Sequence, residues 1–112
     1  MCAGKEDASV ADDEGIVRWR EKIDAVDRQI VELLNERASC ALAIGSHKSR
    51  LGLTIYDPAR EEEIVRHAIA ANEGPLEDAA IRRLFERILD ESRRLERTAA
   101  GPQASGPQRK DA

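Results

Sequence analysis

Residues 16–50 read "IVRWREKIDAVDRQIVELLNERASCALAIGSHKSR", and this stretch decides the fold. Apolar residues recur along it at spacings of three and four, which is typical of one buried face of an α-helix. Ile16, Ile23, Ile30, Arg37 and Ile44 are each seven positions apart, a repeat that resembles the seam of a coiled coil. The pattern therefore predicts one long first helix over about 16–50.

The rest of the sequence predicts two shorter helices and no strand. Asp57-Pro58 favours a helix start, because Asp can cap a helix and Pro suits its first position. Gly74-Pro75 favours its end. A stripe of Ile, Leu and Phe residues over 77–98 then predicts a third helix. The predicted fold class is all-α, with three helices per chain.

The length of the first helix predicts a partner. A helix of ~35 residues is ~50 Å long at ~1.5 Å per residue, and the two shorter helices cannot cover it. We therefore expect an intertwined helical homodimer in which the long helices pack against each other. The alternative is a monomer in which the first helix breaks near Gly45 and folds back.

Composition divides the chain into a domain between two tails. Residues 1–14 are small, polar and acidic, and are predicted to be a disordered tail. Residues 15–99 hold the helical pattern and form the predicted domain. Residues 100–112 repeat GPQ and are rich in Gly, Pro and Ser, which indicates a flexible tail.

Charge and composition exclude several classes of protein. The 112 residues carry a net charge of −4, which argues against a nucleic-acid binder. The sequence has no apolar run near the ~20 residues of a membrane span and no secretory signal, so we expect a cytoplasmic protein that binds no membrane. His47, His67 and the cysteines form no metal-binding pattern, and we expect neither a metal nor another cofactor.

Two cations interrupt the buried stripe of the first helix. Arg37 and Lys48 are eleven residues apart, which places them about 20° apart on one face. Burying an unpaired cation costs several kcal/mol, so each needs an anionic partner or access to water. Ser92 and Glu96 project from the apolar face of the third helix. Glu96 could pair with Arg37 or Lys48, or the four side chains could form a polar ligand chamber inside a helical bundle.

The other polar residues of the sequence do not indicate covalent catalysis. Arg60 lies near a helix N-terminus, where a cation opposes the helix dipole unless it orients a carboxylate or faces a ligand anion. Cys40 is interpreted as a small core residue rather than a nucleophile. The sequence offers no Ser–His–Asp set and no phosphate-binding loop. An enzyme with this inventory would bind an anionic substrate and stabilise developing charge.

Several segments, taken in order, resemble the all-helical chorismate mutase family. They are "RWREKIDAVDRQIVELLNERASCALAIGSHK", "YDPAREEEIV", "ANEGPL" and "LFERILDESRRLE", within residues 16–98. The resemblance implies an intertwined dimer with two active sites. It also implies conversion of chorismate to prephenate by an intramolecular Claisen rearrangement, within aromatic amino acid biosynthesis. Such a rearrangement requires no acid, base or nucleophile from the protein.

The resemblance also implies roles for individual residues. Arg37 and Lys48 of one chain and Arg20 of the partner would clamp the two substrate carboxylates, and Ser92 would contact one of them. Lys48 would also donate to the ether oxygen. Arg20 and Arg37 are about 100° apart on their helix, so they do not face one pocket from the same chain. An interlocked dimer would bring Arg20 into the neighbouring site.

At the other end of the substrate, Glu61 would hold the ring hydroxyl, supported by Arg60 and the Asp57 backbone. Glu96 departs from one common form of the family, which has Gln at this position. A carboxylate cannot donate a hydrogen bond unless it is protonated. Our hypothesis is that Glu96 acts as a neutral acid in the active form.

Other activities stay open. The same fold could rearrange 4-amino-4-deoxychorismate, because Glu61 would accept equally well from a hydroxyl or an ammonium. It could also eliminate pyruvate from isochorismate. A different class of function is a non-catalytic helical dimer or regulatory module, in which Arg37, Lys48 and Glu96 would form an internal salt-bridge network.

Overall fold

The computed structural model describes the backbone of residues 10–111 and the side chains of residues 13–101. Three helices follow one another: α1 at Val10–Leu51, α2 at Pro58–Ala70 and α3 at Asp78–Asp111. No strand occurs in the described backbone, so the predicted all-α class with a long N-terminal helix is confirmed. The chain divides into two compact units, the first ending at Glu36 and the second beginning at Arg37.

The two predicted tails stay predictions. Residues 1–9 of the acidic tail lie outside the described residues, and residues 10–14 belong to α1. At the other end, α3 contains a break at Gly101, where φ is 87°, and its backbone is helical again as far as Asp111. In the part of the chain that is described, no helix is long and apolar enough to cross a membrane.

The first unit presents an apolar face to solvent. The isoleucines of the seven-residue repeat are half exposed, at 44% for Ile16, 54% for Ile23 and 46% for Ile30. Trp19 and Val26 on the same stripe are exposed as well. Apolar side chains at this spacing normally contact a neighbouring element, and the described residues of this unit belong to a single helix.

The second unit begins its helix α2 as the sequence predicts. Asp57 is the N-cap, and its Oδ1 accepts a hydrogen bond from the backbone N–H of Arg60 at 3.1 Å. Pro58 occupies the first turn, where a missing N–H costs nothing. The helix ends at Ala70, and the backbone N–H of Ala71 donates back to the carbonyl of His67.

A small aliphatic core joins the elements of this unit. Ile55, from the segment between α1 and α2, is 2% exposed and is the most deeply buried large side chain. The other buried apolar side chains among the described residues come from all three helices, and they are Ala41, Val65, Leu89 and Ala100. The connecting segment is otherwise exposed, so Ile55 is the one residue through which it joins the core.

Helix α1 lies close against the backbone of helix α3 at Gly45. A Cβ atom at this position would lie 2.5 Å from the backbone oxygen of Glu96 and 2.8 Å from its Cα. Real Cβ atoms essentially never come this close to backbone, so the contact requires glycine. The hydroxyl of Ser49 continues the contact, donating to the carbonyl of Ala100 at 3.2 Å.

We expect Gly45→Ala to lower the free energy of unfolding by about 1–3 kcal/mol, because the added methyl must push α3 away from α1. Urea denaturation followed by circular dichroism measures the change. Gly15→Ala is the matched control, since a Cβ at Gly15 meets nothing within 4 Å. It should leave stability unchanged or raise it by up to about 1 kcal/mol through helix propensity. Equal effects of the two substitutions would contradict the steric interpretation.

Candidate active site

A cavity of about 380 Å³ lies within the second unit. Its walls come from the C-terminal part of α1, the connecting segment, the first turns of α2 and the middle of α3. The side chains that line it are Arg37, Cys40, Ala41, Ile44, Lys48, Ile55, Asp57, Arg60, Glu61, Ile64, Leu89, Ser92, Arg93 and Glu96. Every predicted site residue from Arg37 onward is in this set. Arg20 belongs to the first unit and does not line the cavity.

Arg37 and Ser92 meet on one side of the cavity. The guanidinium of Arg37 donates a hydrogen bond to the hydroxyl of Ser92, which is buried at 8% exposure. This explains how a polar side chain is accommodated on the apolar face of α3. Because Ser92 is neutral, the positive charge of Arg37 is not balanced by this partner.

Lys48 and Glu96 form an ion pair across the cavity. The Nζ of Lys48 lies 3.0 Å from Oε1 of Glu96, and their side chains are only 18% and 13% exposed. The same ammonium donates to the carbonyl of Ile55 at 2.8 Å. One of the pairings that the sequence left open, Glu96 with Lys48, is therefore present. The ammonium has a third N–H beyond these two contacts.

The first turn of α2 supplies the acidic end of the cavity. Asp57 is fixed as the helix cap, and Glu61 follows one turn later. The side chain of Arg60 turns to Glu63, whose Oε1 accepts its hydrogen bond at 2.8 Å. This hydrogen bond lowers the pKa of the Glu63 carboxyl below its usual value. Arg60 thus orients a neighbouring carboxylate, as one interpretation of the sequence expected.

Arg93 is a cavity residue that the sequence analysis missed. One of its guanidinium nitrogens lies 2.7 Å and 2.8 Å from the two carboxylate oxygens of Glu61. The other nitrogen donates to Asp90, and the guanidinium lies 5.5 Å from the ring centroid of Tyr56. The hydrogen bond with Glu61 raises the pKa of Arg93 above its usual value. Its position three residues before Glu96 places the two residues on one face of α3, but the same spacing fits an arginine that faces only solvent.

The charges of the cavity favour an anionic ligand. Four cationic side chains line it, Arg37, Lys48, Arg60 and Arg93, against three anionic ones. Three of these cations have carboxylate partners, which leaves Arg37 as the unbalanced charge. A desolvated, partly buried cation of this kind binds a carboxylate strongly, and the planar guanidinium does so through two hydrogen bonds.

The residues that line the cavity include no nucleophile paired with a histidine base. Cys40 lines it and is exposed, so the prediction of a core position for Cys40 is wrong. No histidine lines the cavity to act as a base for this thiol. Within residues 13–101, no group of three His, Cys, Asp or Glu side chains is arranged to hold a metal ion. What the walls can supply is charge and hydrogen bonds.

Comparison with known proteins identifies the family. Residues 19–97, which include every residue of the cavity, match the family described as chorismate mutase type II. The chain belongs to the chorismate mutase type II family. The prediction that this sequence is a member of the all-helical chorismate mutases is therefore confirmed.

Curated relatives of this family include larger proteins. A bifunctional chorismate mutase/prephenate dehydratase from Neisseria gonorrhoeae is 38% identical over 97 residues, covering 83% of this chain and 26% of that protein. A chorismate mutase from Methanocaldococcus jannaschii is 41% identical over 51 residues, covering 46% of this chain and 52% of that protein. The chain thus spans about a quarter of the length of the bifunctional relatives it matches.

A solved structure of the family matches nearly from end to end. One crystal form of chorismate mutase from Thermus thermophilus is 43% identical, with a TM-score of 0.71. The match covers 72% of this chain and 92% of the Thermus chain. A second form of the same Thermus protein gives a TM-score of 0.67. The three-helix chain of this protein is therefore the fold of a type II chorismate mutase.

Proposed function

We propose that this protein converts chorismate to prephenate by an intramolecular Claisen rearrangement. The observation that carries the proposal is the placement of Arg37, Lys48, Ser92 and Glu96 around one cavity inside the family-matched segment. The substrate carries two carboxylates, and the cavity carries an excess of cationic side chains. The near-complete match to the Thermus enzyme supports the same activity.

In this proposal, Arg37 binds one substrate carboxylate. Its fixed position beside Ser92 supports the role, because the two side chains together offer N–H and O–H donors to one anion. The substrate carboxylate would also balance the positive charge of Arg37, which the neutral Ser92 does not. Holding the substrate in a reactive conformation supplies part of the rate acceleration.

Lys48 and Glu96 would act at the ether oxygen. This oxygen gains negative charge as its C–O bond breaks, and a donor aimed at developing charge lowers the barrier. Lys48 can supply its third N–H while it keeps its contacts with Ile55 and Glu96. Glu96 can donate only if it is protonated, since a carboxylate has no hydrogen-bond donor.

Glu61 would accept a hydrogen bond from the ring hydroxyl at the opposite end. Its carboxylate is held by Arg93, and Asp57 and Arg60 line the same end of the cavity. The cavity therefore offers the unbalanced charge of Arg37 to a carboxylate and a fixed acceptor to the ring hydroxyl.

A homodimer completes the proposed site. The exposed apolar face of residues 16–34 supports dimer formation, because burying such a stripe is the usual reason for its pattern. Arg20 does not line the cavity of its own chain. We propose that it reaches the cavity of the partner and binds the second carboxylate there.

The purified protein should consume chorismate, which loss of its ultraviolet absorbance measures directly. Arg37→Ala should lower kcat/KM by about 10²–10³-fold, the usual cost of one lost preorganised donor. Arg94→Ala is the matched control, because Arg94 is 70% exposed on α3 and does not line the cavity. Absence of turnover in the wild type would instead favour the non-catalytic module, in which Lys48–Glu96 is a purely structural ion pair.

If Glu96 acts as a neutral acid, kcat/KM should fall as pH rises and Glu96 loses its proton, since the carboxylate cannot donate to the ether oxygen. Glu96→Gln should keep its activity at the higher pH, because an amide donates in either case. Measuring kcat/KM between about pH 5 and pH 8 distinguishes the wild type from Glu96→Gln. An identical flat profile in both proteins would show that Lys48 is the donor on its own.

If Arg20 acts across the interface, two inactive variants should complement each other. Arg20→Ala and Arg37→Ala homodimers each lack one cation in both sites. Random reassortment of the two gives half heterodimers, each with one intact site, so about a quarter of wild-type activity should return. Sedimentation measures the dimer, and the absorbance assay measures the recovery. Recovery of no activity from verified heterodimers would contradict a role of Arg20 in the partner's cavity, and an active Arg20→Ala homodimer would place Arg20 outside the site.

A further inference from the structure

The carboxylate of Glu61 is bound by Arg93, and the guanidinium of Arg93 is in turn positioned by Asp90 and Tyr56. Arg93 donates to both oxygens of Glu61 through one nitrogen, at 2.7 Å and 2.8 Å. Its other nitrogen donates to Asp90, and the Tyr56 ring faces the guanidinium. Glu61 and Arg93 are only 21% and 23% exposed, so water screens this pair incompletely. Arg93 lines the cavity, and the role proposed above for it is only to hold Glu61 in place.

We propose that Arg93 is a specificity-determining residue that makes the cavity select a hydroxyl over an ammonium on the substrate ring. This inference rests on the proposed function, which places the ring substituent at Glu61. A bare carboxylate would favour an ammonium, because the two charges attract. A carboxylate already neutralised by a guanidinium loses that preference.

The hydrogen-bonding capacity of Glu61 permits the alcohol. An ionised carboxylate has about four lone-pair positions, and Arg93 occupies about one on each oxygen. The remaining positions can accept from a neutral hydroxyl at no electrostatic cost. Glu61 therefore keeps its function as an acceptor while Arg93 removes most of its net charge.

The same geometry opposes the amine. A group that donates to either oxygen of Glu61 comes within a few ångströms of the Arg93 guanidinium, which lies less than 3 Å from both. Juxtaposed like charges are strongly unfavourable in a partly desolvated site. Arg60 lines the same end and adds to the repulsion. Asp57 lines it too and acts in the opposite direction, as does Asp90 beyond the guanidinium.

The experiment compares kcat/KM for chorismate and for 4-amino-4-deoxychorismate. Arg93→Met keeps the length and apolar stem of the side chain and removes its charge. In Arg93→Met, the ratio of kcat/KM for the amine to kcat/KM for the alcohol should rise by about 10-fold or more. Removal of a like charge from beside the ammonium produces an effect of this size. A merely structural role of Arg93 would lower both values together and leave the ratio unchanged.

Three further variants test whether the charge of Arg93 sets this ratio. Arg93→Lys keeps the charge and should keep the preference for the alcohol. Asp90→Asn removes a compensating anion and should lower the ratio further. Arg87→Met is the matched control, because Arg87 is 69% exposed on the same helix and pairs with Glu91 rather than Glu61. It should leave the ratio within about twofold of the wild type.

The outcomes separate this inference from the proposed function. Turnover of chorismate by the wild type, with the same amine-to-alcohol ratio in wild type and Arg93→Met, would overturn the inference alone. Turnover of neither compound would overturn the proposed function. In that case calorimetry measures the dissociation constants of chorismate and 4-amino-4-deoxychorismate. If their ratio is the same for the wild type and Arg93→Met, the inference is overturned as well.

Discussion

The approach of α1 to α3 at Gly45 is the constraint on which the cavity depends. A glycine there lets the backbone of Glu96 come within a distance that any side chain would prevent. The same approach brings Glu96 within reach of Lys48, one turn further along α1, at 3.0 Å. Eight residues before Gly45, Arg37 reaches the hydroxyl of Ser92. One close helix crossing thus positions both cations that interrupt the apolar stripe.

Much of this arrangement could be predicted from the sequence. Periodicity indicated the three helices, Asp57-Pro58 located the start of α2, and helical geometry placed Arg37 and Lys48 on one face. Arg93 could not be assigned in the same way. An arginine on a helix rich in charge is indistinguishable by pattern from a solvated one, and only the packing of α2 against α3 brings Glu61 to it. Cys40 was misassigned because periodicity gives a face, while burial depends on what covers that face.

The cavity is organised by pairing rather than by isolated charges. Lys48 has Glu96, Arg93 has Glu61, and Arg60 has Glu63, so only Arg37 faces a neutral partner. Pairing reduces the free-energy cost of burying a charged side chain. It also determines which side chains can still bind a charged group of a ligand. A dianion would bind where the pairing is incomplete. The acidic end, already compensated, suits a neutral donor.

The burial of Ile55 ties the cavity to the local stability of the segment that connects α1 and α2. Its side chain is 2% exposed, while its carbonyl holds the ammonium of Lys48. A fluctuation that opened this segment would withdraw an apolar group from the core and an acceptor from the cation in a single step. Amide hydrogen exchange reports such openings. A ligand that needs Lys48 in place would therefore slow amide exchange in the segment between α1 and α2.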